Sequence, residues 1–250
     1  MPGAERLFWL RDTDADWREL GANQPYWGVL SRPDFRSENI TSKGVQDFYA
    51  TGRADIDFIV EQISRATGAK PSGRALDFGC GVGRLAEAMT SYASHVTGYD
   101  ISPGMLELAR KRASKVAYLS EIPAGPFDWI NSYIVFQHIE PQRGIEILDD
   151  LLSRLAPGGV VSLQFTIWRE AGLEVPSFKG WKAKAQLLRH RFRLKHQPAG
   201  QISMYDYDLS QIVRVLNGAG VEEMQLLSTD HGGHHGVIIL GRKTINPSHA

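Results

Sequence analysis

The stretch LDFGCGVGR, residues 76–84, carries a short apolar run into three glycines and straight out into a helical pattern. Gly79, Gly81 and Gly83 let the backbone turn sharply and let a ligand approach with no Cβ in the way. The helix that follows would turn its free N–H groups toward that ligand. Dinucleotide enzymes space these glycines G-x-G-x-x-G and seat a pyrophosphate on the helix N-terminus. Here the spacing is G-x-G-x-G, and an acid, Asp77, stands before the first glycine. A carboxylate at that point repels a pyrophosphate and suits a ligand carrying an ammonium group. A second apolar run, His95 to Tyr99, ends at Asp100, where an acid can accept both hydroxyls of an adenosine ribose.

Outward from this core the pattern alternates. Ala75 to Phe78 reads as a strand and Arg84 to Tyr92 as a helix. Ser102-Pro103 is a helix start with Ser as N-cap, and that helix runs to about Ala113. Val116–Leu119, Trp129–Val135 and Val160–Ile167 read as further strands, with a helix over Pro141–Leu155 between the last two. After Asp208, an N-cap with Gln211 three positions on, a helix runs to Gly218 or Gly220. Val221–Leu227 and Val237–Leu240 then form an antiparallel pair across a Gly/His turn. The expected fold is α/β: a Rossmann-like, mostly parallel seven-stranded sheet with helices on both faces and a terminal antiparallel hairpin strand. A helix over 42–66 buries Ile56, Ile59, Val60 and Ile63. Residues 1–40 read as an irregular, aromatic-rich cap segment holding Trp9, Trp17 and Trp27, which packs onto the domain formed by 41–250. Residues 168–206 break the rhythm and read as a lid-like insertion.

With these motifs in place, the chain resembles the class I S-adenosylmethionine-dependent methyltransferases over residues 70–166 and 207–243. LDFGCGVGR looks like their first motif, GYDIS their second, PFDWINSYIVFQHI their fourth-strand motif, and LAPGGVV the turn before the fifth strand. The resemblance implies S-adenosyl-L-methionine as cofactor. It sets Asp77 toward the cofactor amine and passes Gly79, Gly81 and Gly83 close to the methionine moiety. Asp100 would hold the ribose, Ile101 and Met105 would flank the adenine, and Ser132 and Tyr133 would face the donor methyl. The segment after the third strand is short, so Ser120 or Glu121 takes the place of the acid that often bonds the adenine amino group.

Methyl transfer from a sulfonium draws much of its rate from alignment and desolvation. A general base is needed only when the acceptor arrives protonated. His138, just past the fourth strand, is the candidate base, and a structural histidine bonded to a loop is the plainer alternative. His231, His234 and His235, with Asp230, could bind a metal or line a pocket, but a glycine-rich turn tolerates any polar residue, and no metal is expected. Residues 179–196 carry Lys179, Lys182, Lys184, Arg189, Arg191, Arg193 and Lys195 without one acid, with Trp181, Ala185, Leu188 and Phe192 at helical spacing. A basic amphipathic helix is expected there: a solvated face, a lid that attracts an anionic substrate, or a surface for membrane or RNA contact.

Lys plus Arg equals Asp plus Glu at 28 each, so overall charge points to neither nucleic acid nor membrane. No stretch approaches the roughly 18 apolar residues of a membrane span. The first residues lack the apolar core of a secretory leader, so a cytoplasmic protein is expected. One cysteine, Cys80, leaves no internal disulfide framework. The expected activity is O- or N-methylation of a small molecule. Three rivals stand beside it. A nucleic-acid or protein methyltransferase is weakened by Ser132-Tyr-Ile-Val-Phe where base-amine enzymes carry an Asn/Asp-Pro-Pro-aromatic run. An NAD(P) oxidoreductase is opposed by the glycine spacing, and a silent cofactor-binding protein shares every motif.

Overall fold

The alternating pattern closes into one seven-stranded sheet in the order β3-β2-β1-β4-β5-β7-β6 in a computed structural model of the chain. The structure describes residues 11–112, 115–173, 189, 192 and 197–245. The strands are β1 (Arg74–Phe78), β2 (His95–Tyr99), β3 (Ala117–Leu119), β4 (Phe127–Ser132), β5 (Leu155–Arg169), β6 (Val221–Asp230) and β7 (His234–Lys243). The first five are parallel to their neighbours, and β7 inserts antiparallel between β5 and the edge strand β6. The registers bring Phe78 opposite Tyr99, Tyr99 opposite Leu119, and Ser132 opposite Leu163, so the carboxyl ends share one edge. In such sheets this edge is where ligands bind.

Both faces of the sheet are covered, which is why its central strands read as near-continuous apolar runs. On one face pack α3 (Ser42–Thr67), α4 (Arg84–Met89) and α5 (Pro103–Arg110), with Ile59, Ile63, Met89 and Leu106 against Trp129. On the other lie α6 (Pro141–Ser153) and α7 (Leu209–Gly218), with Leu148, Leu151 and Ile212 against Ile130 and Leu163. Asp208 caps α7 as expected, accepting from the N–H groups of Ser210 and Gln211 at 2.8 and 3.4 Å.

Two expectations are corrected. The cap segment is helical rather than irregular: α1 (Thr13–Asn23) and α2 (Pro25–Val29) precede a 3₁₀ turn at Pro33–Phe35. The apolar period is missing because α1 buries Thr13, Asp16, Leu20 and Gly21. Gly21 sits there by close approach, since a Cβ would lie 2.0 Å from Ser102 Oγ. Strand β5 is much longer than read, starting at Leu155, which pairs with Phe127, and running to Arg169. It thereby takes up the first residues of the expected insertion. The basic run at 179–196 lies outside the described residues except for Arg189 and Phe192, both exposed. No helix among the described residues is long and apolar enough to cross a membrane.

Candidate active site

A cavity of about 460 Å³ opens at the carboxyl edge, where β1 and β2 hand over to their loops. The loop after β1 is folded back onto β2, with the N–H groups of Gly79 and Cys80 both donating to the Tyr99 carbonyl at 2.8 Å. That fold needs glycine. Gly79 has φ of +77°, and a Cβ there would come within 2.4 Å of Val135 Cγ2.

Asp77 lies on the cavity wall yet is only 2% exposed. A chain of side chains aims it: Trp129 Nε1 donates to Ser162 Oγ at 2.9 Å, Ser162 to Asn131 Oδ1 at 2.6 Å, and Asn131 Nδ2 to Asp77 Oδ1 at 2.8 Å. The other oxygen, Oδ2, is buried with no hydrogen-bond partner among the described residues. Burial pushes the carboxyl up to about 6, against the pull of Asn131 and the nearby Arg84. Asp100 is placed by the backbone it serves, accepting from Gly81 N and Ser102 N at 2.8 Å each. Burial raises its pKa as well.

An orphaned buried carboxylate oxygen is costly unless something meets it, by about 1–3 kcal/mol or more for a charged group. A cationic ligand group at Oδ2 removes that cost. Beside it, Arg84 is 3% exposed, bonded through one terminal nitrogen to Asp55 at 2.5 Å and Thr51 at 3.2 Å, while its Nε has no partner among the described residues. An acid and a guanidinium, each with a spare polar atom beside a glycine cradle, fit the amino and carboxylate groups of an amino-acid moiety.

The comparisons with known proteins agree with this chemistry. The methyltransferase domain family matches residues 75–159. Residues 75–159 are thus a methyltransferase domain. It is 38% identical over 120 residues to a probable thiol methyltransferase 2 of Arabidopsis thaliana, covering 42% of this chain and 52% of that protein. It is 37% identical over 98 residues to a trans-aconitate 2-methyltransferase of Rhizobium leguminosarum, covering 36% and 38%. The chain thus spans about half the length, or less, of these curated relatives. In fold it is similar to magnesium protoporphyrin IX methyltransferase from Synechocystis PCC 6803 with bound SAH, at a TM-score of 0.62 and 18% identity, covering 93% of this chain and 100% of that one.

Within this methyltransferase domain, Asp77, Gly79, Gly81, Asp100, Ile101, Met105 and Tyr133 all line the cavity, as the sequence suggested. Four residues suggested with them stand off the wall. Ser120 and Glu121 are exposed, and Ile122 meets the cavity instead. Ser132 is buried with its hydroxyl donated to the Phe78 carbonyl at 3.1 Å. Gly83 caps α4 with φ of +85° and faces Tyr118, whose hydroxyl a Cβ would meet at 2.2 Å.

His138 also reaches the wall, but it is held on every side. Nδ1 donates to the Ser203 carbonyl at 2.8 Å, so Nε2 is the bare nitrogen, and it accepts from the Gln137 amide at 3.2 Å. Trp17 packs on the ring at 4.8 Å. Burial pushes this imidazole down to about 4, so it is neutral at pH 7. Among the described residues, His231, His234 and His235 join no group of metal-ligating side chains.

The cap contributes wall residues that no motif marked. Val29 stands over the glycine loop, and a Cβ on Gly81 would lie 2.7 Å from its Cγ2. Asp14 of α1 forms a two-pronged ion pair with Arg143 of α6 at 2.7 and 2.9 Å, and both line the cavity. The aromatic density of residues 1–40 was the one available signal for this. Arg84 was visible as the residue after the third glycine, but its link to Asp55 was not.

Proposed function

We propose that this chain transfers a methyl group from S-adenosylmethionine to a small-molecule acceptor by O- or N-methylation. The observation that carries the reading is Asp77: buried, aimed by Asn131, and presenting at the glycine loop an oxygen with no hydrogen-bond partner among the described residues. Asp77 would take the cofactor's ammonium, Arg84 its carboxylate and Asp100 the ribose hydroxyls, with Ile101 and Met105 beside the adenine. Bound S-adenosylmethionine supplies an already activated methyl group. The chain's own task is then to hold the acceptor in line and keep water out, which accounts for a large part of such rate enhancements. Tyr133 and Trp17 form the apolar part of that enclosure, to which Asp14 and Val29 of the cap add; in this reading the insertion at 168–206, most of which lies outside the described residues, would contribute to the acceptor pocket. The cation-rich run at 179–196 favours an anionic acceptor, drawn in by a local field.

His138 fits a positioning role better than that of a general base. It keeps the Ser203 segment and Trp17 against the loop after β4, and an imidazole pushed down to about 4 holds a proton poorly at neutral pH. Calorimetry tests the reading directly. S-adenosylmethionine and its demethylated product should bind and NAD should not; tight NAD binding with no response to S-adenosylmethionine would overturn it.

A further inference from the structure

Among the described residues, two that are not glycine have a positive φ, Ile134 at +60° and Glu223 at +52°. Glu223 is exposed and lies where β6 shifts its register against β7, so a bulge accounts for it. No bulge accounts for Ile134. It follows β4, lines the cavity, and carries a β-branched side chain, for which the left-handed region is a genuine outlier. Such a conformation costs about 1–3 kcal/mol and persists only where its surroundings enforce it.

The Ile134 N–H donates to Gln164 Oε1 at 2.7 Å. Gln164 stands in β5 between Leu163 and Phe165 and is 1% exposed. Its amide nitrogen reaches Thr229 Oγ1 of β6 at 3.5 Å. A buried amide costs free energy unless its polar atoms are bonded, so packing alone does not call for one here. Ser162 stands two positions earlier and shares its face of the sheet. Through Asn131, Ser162 aims Asp77. Strand β5 thus supports the cavity wall with two successive polar side chains, one serving a cofactor acid and one the strained turn.

The turn redirects the chain. In a continuing strand, residues two apart share a face. Tyr133 and Val135 do not. Tyr133 packs with the cluster of Trp129 and Ile59, and Val135 with that of Ile130 and Phe78 on the other face. Both line the cavity, and Val135 closes on the glycine loop, where a Cβ on Gly79 would lie 2.4 Å from its Cγ2.

We propose that Gln164 is a positioning residue for methyl transfer: by accepting the Ile134 N–H it holds the left-handed turn that sets Tyr133 and Val135 in the cavity wall. The inference rests on the methyltransferase reading above. Gln164 does not line the cavity and acts through Ile134. Transfer needs acceptor, methyl carbon and sulfur in line, and a misplacement of about 1 Å can cost on the order of 100-fold in rate. A turn held from beneath gives the wall its shape before either ligand arrives.

The test uses the full chain as the parent, Gln164→Met, Ile134→Gly and the double variant. Methionine keeps the bulk and removes the acceptor. Glycine takes the left-handed conformation without a Cβ penalty, so the turn no longer depends on Gln164. Methyl-labelled S-adenosylmethionine and pooled cell metabolites identify a product, and kcat is measured on its parent compound at saturating cofactor. Amide hydrogen exchange at residue 134 and calorimetry of S-adenosylhomocysteine are measured alongside. We expect Gln164→Met to speed exchange at Ile134 about tenfold or more and to lower kcat about 10- to 100-fold. With Ile134→Gly already present, the same substitution should lower kcat less than about threefold, because the conformation is then open to the residue itself. Unchanged exchange at Ile134, a Gln164→Met kcat close to the parent's, or an equal loss in both backgrounds overturns the proposal and leaves the methyltransferase reading standing. So does a Gln164→Met chain that folds in neither background, because the residue is then a requirement of the core and not a hold on one turn. Folding only when Ile134→Gly is present supports the proposal. No binding of S-adenosylhomocysteine, or binding with no transfer to any metabolite, overturns both.

Discussion

Asp77 and His138 line the same cavity from walls assembled in different ways. The wall around Asp77 comes from one continuous stretch, Asp77 through Met105, in which loop, strand end and helix start follow each other in the chain. Asp100 binds two backbone N–H groups and Asp77 keeps one oxygen on Asn131, while Asp77 Oδ2, Arg84 Nε and Ser102 Oγ have no hydrogen-bond partner among the described residues. The wall around His138 gathers Trp17, Tyr133 and Arg143 from across the chain, and its polar groups are tied within the chain: His138 to Ser203 and Gln137, and Arg143 to Asp14. The contrast separates a wall that leaves hydrogen bonds open for a ligand from one whose polar groups the chain itself satisfies.

The largest effect should come from the wall around Asp77. Asp100→Ala should weaken cofactor binding by about 2–4 kcal/mol, through loss of charge-assisted hydrogen bonds and release of the Gly81 N–H. That is roughly a 30- to 700-fold rise in Kd by calorimetry. An unchanged Kd would reduce Asp100 to a strand-end cap and dissolve the contrast.

His138→Ala should act on the other wall and on stability. It leaves the half-buried Ser203 carbonyl without its donor, at about 2 kcal/mol, or roughly 4–8 °C in melting temperature for a chain of this size. Cofactor affinity should barely change. A loss of affinity with no change in melting temperature would place His138 in the cofactor site instead.

Asp77 offers a pH test. Its carboxyl titrates at about 6 in the free site because burial disfavours the charge. An ammonium group favours the charged form, so the bound-state pKa is lower and binding must expel a proton below pH 6. Affinity for S-adenosylhomocysteine should therefore be flat above pH 7 and fall toward tenfold per unit below about 6. Asp77→Asn should flatten that profile, and a wild-type profile flat to pH 5 would deny Asp77 the ammonium.

The smallest effect belongs to the Asp14–Arg143 pair, which ties the cap to α6. Both side chains are partly exposed, so the pair is worth about 0.5–1 kcal/mol. Asp14→Asn should speed release of S-adenosylhomocysteine about 2- to 5-fold in stopped-flow fluorescence, with Trp17 as reporter. No change at low salt would mean that the cap is held by its apolar contacts alone.

What could be read in advance follows from how far each feature depends on its neighbours in the chain. The strands announced themselves because a sheet covered on both faces demands unbroken apolar runs. Helix α1 did not, because it buries Asp16, Gly21 and Thr13 where an apolar stripe is normally sought. Asp16 is buried for a reason no period shows: it accepts from the guanidinium of Arg11 at 2.6 Å and from Gly200 N at 2.9 Å. Ser120 and Glu121 missed the wall because β3 is only Ala117–Leu119, and the chain turns outward at once. Ser132 missed it because its hydroxyl turns back to the neighbouring strand's Phe78 carbonyl.

By itself, the sequence determined the parallel core, the hairpin at its end, the glycine loop and the two acids beside it. Each of these rests on a local rule: side-chain period, a conformation open to glycine, or charge next to a turn. Only the tertiary structure decided that Arg84 is locked to Asp55, that His138 has both nitrogens engaged, and that the cap folds as helices over Gly81. Those outcomes join residues far apart in the chain, and burial then resets their chemistry. An isolated imidazole or carboxylate has one pKa and free lone pairs, whereas a packed one has what its neighbours leave it.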